Sequence, residues 1–127
     1  MSLAQADPVR VLITRRPAGT VYADYWEFPG GKVETGETIE QAVVRELAEE
    51  LDIEVEPVAA LEVVEHVYPH GHVVLHPRVC RLVAGEPRNL GVVEHCWVGV
   101  GELEESRFPE ANDELIAGLR AWLRERG

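Results

Sequence analysis

One helical face crowded with glutamates, entered through a glycine turn, constrains this chain more than any other feature. Residues Gly31 to Ile53 read GKVETGETIEQAVVRELAEELDI. Ile39, Ala42, Val43, Leu47 and Leu51 recur at three- and four-residue steps, which predicts a helix from about Thr38 to Leu51 with one buried face. Thr38 is a fitting N-cap, and Glu40 places negative charge in the first turn, where the helix dipole favours it. Glu46, Glu49 and Glu50 stand at i, i+3 and i+4, so their carboxylates project to one side. Like charges at that spacing destabilise an isolated helix. A hard divalent cation takes oxygen ligands and offsets that repulsion, and with Pro29-Gly30-Gly31 just upstream this suggests metal-assisted phosphate chemistry. The bland alternative is a solvated acidic face with Arg45 as its ion-pair partner.

The spacing weighs against the bland alternative. Five residues separate Gly31 from Glu37, and seven more lead to Arg45-Glu46, Leu47, Ala48, Glu49-Glu50, Leu51, Asp52 and Ile53. This pattern resembles the Nudix box at every fixed position except the last glycine, where Asp52 stands. That glycine would serve a left-handed helix end, a conformation aspartate tolerates. Further segments resemble the MutT branch of the same family: Ile13-Thr14-Arg15-Arg16, Glu27-Phe28-Pro29-Gly30-Gly31-Lys32, Gln41 to Leu47, and Phe108-Pro109 with Ala111-Asn112.

The resemblance implies an α+β fold, a Nudix-type α/β/α sandwich with a mixed sheet and two main helices, in one domain over residues 1–127. It implies hydrolysis of a nucleoside triphosphate to the monophosphate and pyrophosphate with Mg²⁺, Mn²⁺ being the alternative metal. The substrate typical of that branch is an oxidised purine nucleotide such as 8-oxo-dGTP. Other nucleoside triphosphates, ADP-ribose or a dinucleotide polyphosphate are the rival substrates, and a nucleotide sensor without turnover is the rival class. Carried over by position, Glu46, Glu49 and Glu50 would bind metal with the Gly30 carbonyl, Arg45 would orient the carboxylates, and Glu37 would brace the loop–helix junction. Arg16 and Phe28 would lie at the nucleotide, and Asn112 would pair with the purine edge. Asn112 also reads as an N-cap of the last helix, and Arg16 as a plain surface arginine.

Two departures from the branch stand out. The residue before Trp97 is Cys96 rather than a glutamate, which leaves Glu94 as the candidate base or metal ligand; its other reading is a solvent-facing strand residue. His76-Pro77-Arg78 occupies what is a more aromatic strand in MutT. In addition, little sequence precedes the strand that begins at Val9, so an earlier strand of the family is expected to be absent or supplied by a partner chain.

Composition narrows the rest. With 46% hydrophobic residues in 127, the chain can fill a real core and is not disordered. A net charge of −11 argues against stable nucleic-acid binding, yet a polyphosphate can bind through bridging metal. No apolar run is long enough to span a membrane and no secretory signal is seen. Cys80 and Cys96 lack metal-ligand spacing and read as buried free thiols of a cytoplasmic protein, a monomer or homodimer.

The remaining pattern predicts strands at Val9–Thr14, a short one around Trp26 and Phe28, and one at Ala60–Tyr68. The last is joined through Pro69-His70-Gly71-His72 to a returning strand over Val73–Val83, with Pro77 marking an edge or bulge. A strand over Val92–Val100 and a helix over Asp113–Arg126 complete the set. Trp26 reads as core and Phe28 as a wall of a base pocket. His66, His70, His72 and His76 straddle a turn and carry no metal motif.

Overall fold

A computed structural model describes residues 2–3, 10–20, 22–105 and 108–126. The strands are β1 (Ser2–Leu3), β2 (Arg10–Arg15), β3 (Trp26–Glu27), β4 (Glu54–Ala60), β5 (Val64–Tyr68), β6 (Gly71–Leu75), β7 (Arg78–Ala84) and β8 (His95–Gly99). Helix α1 spans Ile39–Leu51 and α2 spans Ala111–Arg126, with a 3-10 helix at Val100–Glu105.

The main sheet runs β3-β2-β1-β7-β4, and β8 also pairs with β2. It is mixed: β1 is parallel to β7 and antiparallel to β2, while β4 and β7 are antiparallel. The central strand shows why the sheet needs a helix on each face. In β2, Val11 and Ile13 pack into a cluster with Leu115 and Leu119 of α2. Leu12, between them, packs on Leu47 and Leu51 of α1. Successive strand residues face opposite sides, so a strand buried on both faces reads as an unbroken apolar run. Val79 and Cys80 of β7 repeat this alternation. Each fully buried leucine here contributes roughly 1.5–3 kcal/mol.

The structure differs from the sequence expectation at three places. The strand thought to be missing is present: Leu3 pairs with Val11 and with Arg81, so β1 joins β2 to β7. The expected start of β2 at Val9 lies outside the described residues. The returning strand of Val73–Val83 is two strands, because Pro77 has no N–H to give to a ladder. Residues up to Leu75 pair with β5 in a separate hairpin, and those from Arg78 join the main sheet. The Pro77 carbonyl instead accepts the Leu61 N–H at 3.1 Å. Finally, the strand expected over Ala60–Tyr68 begins only at Val64, as β5, and an unforeseen strand precedes it: β4 covers Glu54–Ala60, with Pro57 absorbed by a register shift between Pro57 and Ala59 on this edge strand.

Candidate active site

Helix α1 is pinned at both ends. Thr38 Oγ1 accepts the Gln41 N–H at 3.1 Å, and the Gln41 side chain accepts the Thr38 N–H at 2.9 Å, a reciprocal capping box. At the other end Asp52 adopts φ 57°, ψ 39°, the left-handed conformation expected of it, and its N–H bonds to the Ala48 carbonyl. Arg88 reaches Asp52 Oδ2 at 3.3 Å. The glutamates between these caps are therefore carried on a rigid element.

Arg45 gathers them. Its Nε and Nη2 bond both oxygens of Glu37, at 2.6 and 3.0 Å. Its Nη1 bonds Glu46 at 2.9 Å and Glu49 at 3.3 Å. Nη2 also donates to the Lys32 carbonyl at 3.0 Å. Glu37 in turn accepts the Glu34 N–H at 2.8 Å. One guanidinium thus ties the incoming loop to the helix. The Arg45 fork holds the Glu37 carboxyl below its ordinary pKa, and Glu37 first, then Glu46, hold the Arg45 guanidinium above its own.

Glu46 is largely buried, with a side chain 15% exposed, whereas that of Glu49 is 61% exposed. The buried carboxylate abuts backbone: a Cβ on Gly31 would lie 2.6 Å from both Glu46 oxygens. A methyl there would have to displace the Glu46 carboxylate, which gives the first box glycine a steric reason. Burial and then Glu46 push the Glu50 carboxyl up to about 7, with Glu27 and Glu49 adding to the effect.

These donors suit a hard divalent cation. They are carboxylate oxygens, and Glu50 is held partly protonated by burial and by its like-charged neighbours, a penalty that a bound cation would relieve. Among the described residues no three acidic, histidine or cysteine side chains are already gathered as a ligand set; Arg45 neutralises Glu46 and Glu49 instead.

Glu94 is held by Arg15. Just ahead of β8, it pairs with Arg15 at 3.0 Å, and its carbonyl accepts the Arg15 N–H. Glu27, on β3, is the acid from outside α1 that is brought to bear on Glu50. Sequence reasoning missed it, although its place two residues before Pro29 was a usable signal.

Beside this cluster opens a cavity of about 660 Å³. It shares Gly30 and Gly31 with the carboxylate end and is lined by Arg16, Phe28 and Asn112, three of the residues proposed at the nucleotide. Arg16 is not free on the surface: it pairs with Glu27 at 2.7 Å. Phe28 stacks on Phe108 with ring centroids 5.3 Å apart and planes 16° apart. Trp26 is half-buried against the core, as expected. Asn112 is buried, 8% exposed, and is the second residue of α2 rather than its cap. Its Nδ2 donates to the Pro109 carbonyl at 3.2 Å, which orients the amide.

Other lining residues were not foreseen. Tyr22 sits in the left-handed region at φ 61°, which costs a non-glycine residue of order 1–2 kcal/mol. Ring contacts offset this: Tyr25, Tyr68 and His70 lie 5.0, 5.5 and 5.9 Å from it, centroid to centroid. The Tyr68 hydroxyl accepts the Ala111 N–H at 2.7 Å and so docks the hairpin on the start of α2. His66 pairs with Glu110 at 3.2 Å and His72 with Glu65 at 3.5 Å, while His70 and His76 line the cavity. His70 and His76 thus belong to the pocket wall, while His66 and His72 are held by glutamates.

A glycine turn against a buried helical glutamate, an arginine fork and an adjoining aromatic cavity agree with the family comparison. The NUDIX domain model matches residues 1–118, and the chain belongs to the Nudix family. It is 40% identical over 110 residues to the 8-oxo-dGTP diphosphatase of Escherichia coli K12, covering 87% of this chain and 85% of that one. It is 38% identical over 110 residues to a putative 8-oxo-dGTP diphosphatase 2 of Mycobacterium tuberculosis, covering 86% and 78%. Among solved structures, the E. coli ORF135 protein superposes with a TM-score of 0.78 at 28% identity, over 98% and 89% of the two chains. A MutT from work on Aliivibrio salmonicida and Vibrio cholerae gives 0.70 at 34% identity, over 95% of each. The chain is a Nudix hydrolase of the MutT-like kind, and the family generally uses a divalent metal. No helix among the described residues is long and apolar enough to cross a membrane.

Proposed function

We propose that this hydrolase cleaves a nucleoside triphosphate to the monophosphate and pyrophosphate, with 8-oxo-dGTP as the preferred substrate and Mg²⁺ as the metal. The observation that carries the reading is the shared Gly30-Gly31 turn: it touches the Glu46 carboxylate on one side and lines the aromatic cavity on the other. A base in the cavity and a polyphosphate at the glutamates can then belong to one molecule. The names of the relatives at 40% and 38% identity support the same substrate.

Glu46, Glu49 and Glu50, with the Gly30 carbonyl, would hold the metal. When bound, the metal supplies charge neutralisation for the phosphates and activation of the attacking water. The chain's own residues do the positioning. Arg45 and Glu37 hold the loop at a fixed distance from the helix. Phe28 offers a flat apolar face to a base, and Asn112 presents a donor and an acceptor from one amide, so it can match a purine edge in a single orientation. Glu50, buried against Glu46 and Glu27, is the candidate proton acceptor from the cluster, and a bound cation would lower the raised pKa it has in the metal-free chain. Glu94, paired with Arg15, is the weaker candidate.

Steady-state rates with Mg²⁺ on 8-oxo-dGTP, dGTP, dCTP and ADP-ribose, measured side by side, test the reading. A kcat/KM for 8-oxo-dGTP above the other three supports it. A higher value for dCTP would favour a cytidine nucleotide, a second reading suggested by 56% identity over 45 residues to the CTP pyrophosphohydrolase of E. coli K12.

A further inference from the structure

We propose that Arg78 is a specificity-determining residue: its guanidinium donates hydrogen bonds to an exocyclic carbonyl oxygen of the base in the cavity. This rests on the nucleotide reading above. Arg78 opens β7 directly after Pro77 and lines the same cavity as Phe28 and Asn112. Its side chain is only 14% exposed. Nε donates to Glu40 Oε2 at 2.5 Å, and Nη1 donates to the Pro77 carbonyl at 2.9 Å. A guanidinium has five N–H donors, so these two bonds leave three for a ligand.

Two features separate this group from a phosphate anchor. Glu40 already balances its charge, so what remains is directional hydrogen bonding rather than net attraction for an anion. Glu40 also lies six residues before Glu46 on α1, about 9 Å along the axis at 1.5 Å per residue, towards the helix start and away from the carboxylates.

The chemistry then selects among bases. Arginine cannot accept a hydrogen bond, because it does not deprotonate in proteins. A guanine or 8-oxoguanine edge brings the O6 carbonyl, an acceptor that matches it. An adenine edge brings an amino group, which would set donor against donor and leave buried N–H groups unpaired. Asn112, with one donor and one acceptor, is compatible with either edge; Arg78 is not. The guanidinium held by Glu40 and Pro77 therefore supplies the sign of the preference that Asn112 alone leaves open.

The test is calorimetric binding of the monophosphates 8-oxo-dGMP, dGMP, dIMP and dAMP to the wild-type chain, to Arg78→Met and to Arg78→Gln, with melting curves to confirm folding. Methionine keeps length and removes every donor. Glutamine adds an acceptor. The wild type is expected to favour the three oxo-bases over dAMP. Arg78→Met should lower that preference by about tenfold or more, the worth of a good directional contact. Arg78→Gln should raise dAMP affinity relative to dGMP. A merely structural role would weaken all four ligands alike. If Arg78→Met fails to fold, Arg78→Gln decides alone. Unchanged selectivity in a folded variant that still binds nucleotides overturns the role of Arg78. A wild-type chain that binds none of the four and cleaves no nucleoside triphosphate overturns the nucleotide reading itself, and this inference with it.

Discussion

The two ends of the candidate site are built in opposite ways. The carboxylate end comes from one continuous stretch: Gly31, Glu37, Arg45, Glu46, Glu49 and Glu50 all lie within a loop and the helix it enters. The cavity end draws on β3, the β5–β6 hairpin, β7 and the start of α2, elements far apart in the chain, along with the first turns of α1. A local site keeps its spacing in the sequence and is fixed by helix geometry. A dispersed site is fixed by packing and can change residue by residue. The first end would then conserve the chemistry, and the second would decide what the chemistry acts on.

The sharpest test of that division is Glu46→Gln. Removing the buried carboxylate should lower kcat with Mg²⁺ by at least about 100-fold, since even outer partners of a metal ligand cost 10–100-fold. Binding of a nucleoside monophosphate in the cavity should change by less than about threefold, because Glu46 is not among the residues that line it. Parallel loss of both in calorimetry would show that the two ends are not separable. Gly31→Ala probes the same end through backbone. The new methyl meets the Glu46 carboxylate, and a displacement of about 1 Å can cost on the order of 100-fold in rate. A variant that turns over normally would mean that the close approach is idle.

The cavity end should respond in KM instead. Asn112→Ala is expected to raise KM by about tenfold, equivalent to roughly 1.4 kcal/mol, with a smaller fall in kcat. The loss should be larger for purine than for pyrimidine nucleotides. A fall in kcat alone would move Asn112 to the chemistry.

The same contrast explains what was legible in the sequence. The helical part of the carboxylate end was legible as geometry, because i, i+3 and i+4 spacing survives as letters. The helix caps could be read too, Thr38 and even the left-handed Asp52. The hidden parts depend on pairing across distance. Glu27 acts on Glu50 only because β3 is laid beside β2. Arg78 reaches Glu40 only because Pro77 breaks one apparent strand into two, each joining a different sheet. Strand β1 escaped notice since two residues carry no periodicity at all.

A smaller effect separates stability from function at the carboxylate end. In the metal-free chain the folded-state pKa of Glu50, about 7, lies above its ordinary value of 4.5. The folded state therefore binds the proton more tightly than the unfolded state between those values. Stability falls as pH rises through that window and stays low above it. Glu50→Gln removes the penalty. It should raise metal-free stability at pH 8 by roughly 1 kcal/mol, a figure discounted because the group is only partly buried, and should change little at pH 4. Thermal melts with chelator at the two pH values measure this. With Mg²⁺ present the order should reverse, since a ligand has been lost. Glu37 has the opposite sign: its lowered pKa means that the stability of its bond to Arg45 is present above pH 4.5 and is lost on acidification below it.

The smallest expected effect is at Asp52, where this chain departs from the box. Asp52→Gly would relieve the cost of a left-handed non-glycine residue, of order 1 kcal/mol. It would also remove the ion pair with Arg88, whose side chains are 55% and 67% exposed, so that loss is a few tenths of a kcal/mol. Glycine further loses more backbone freedom on folding, by about 0.5–1 kcal/mol. The three contributions nearly cancel, and denaturant unfolding should place the variant within about 0.5 kcal/mol of the parent. The Asp52 N–H still caps Ala48, so α1 keeps its length and the carboxylates keep their places. Rates should then stay within about twofold, because no transition-state contact is altered. A large change in kcat would show that the helix end, through Asp52 and Arg88, reaches the chemistry after all.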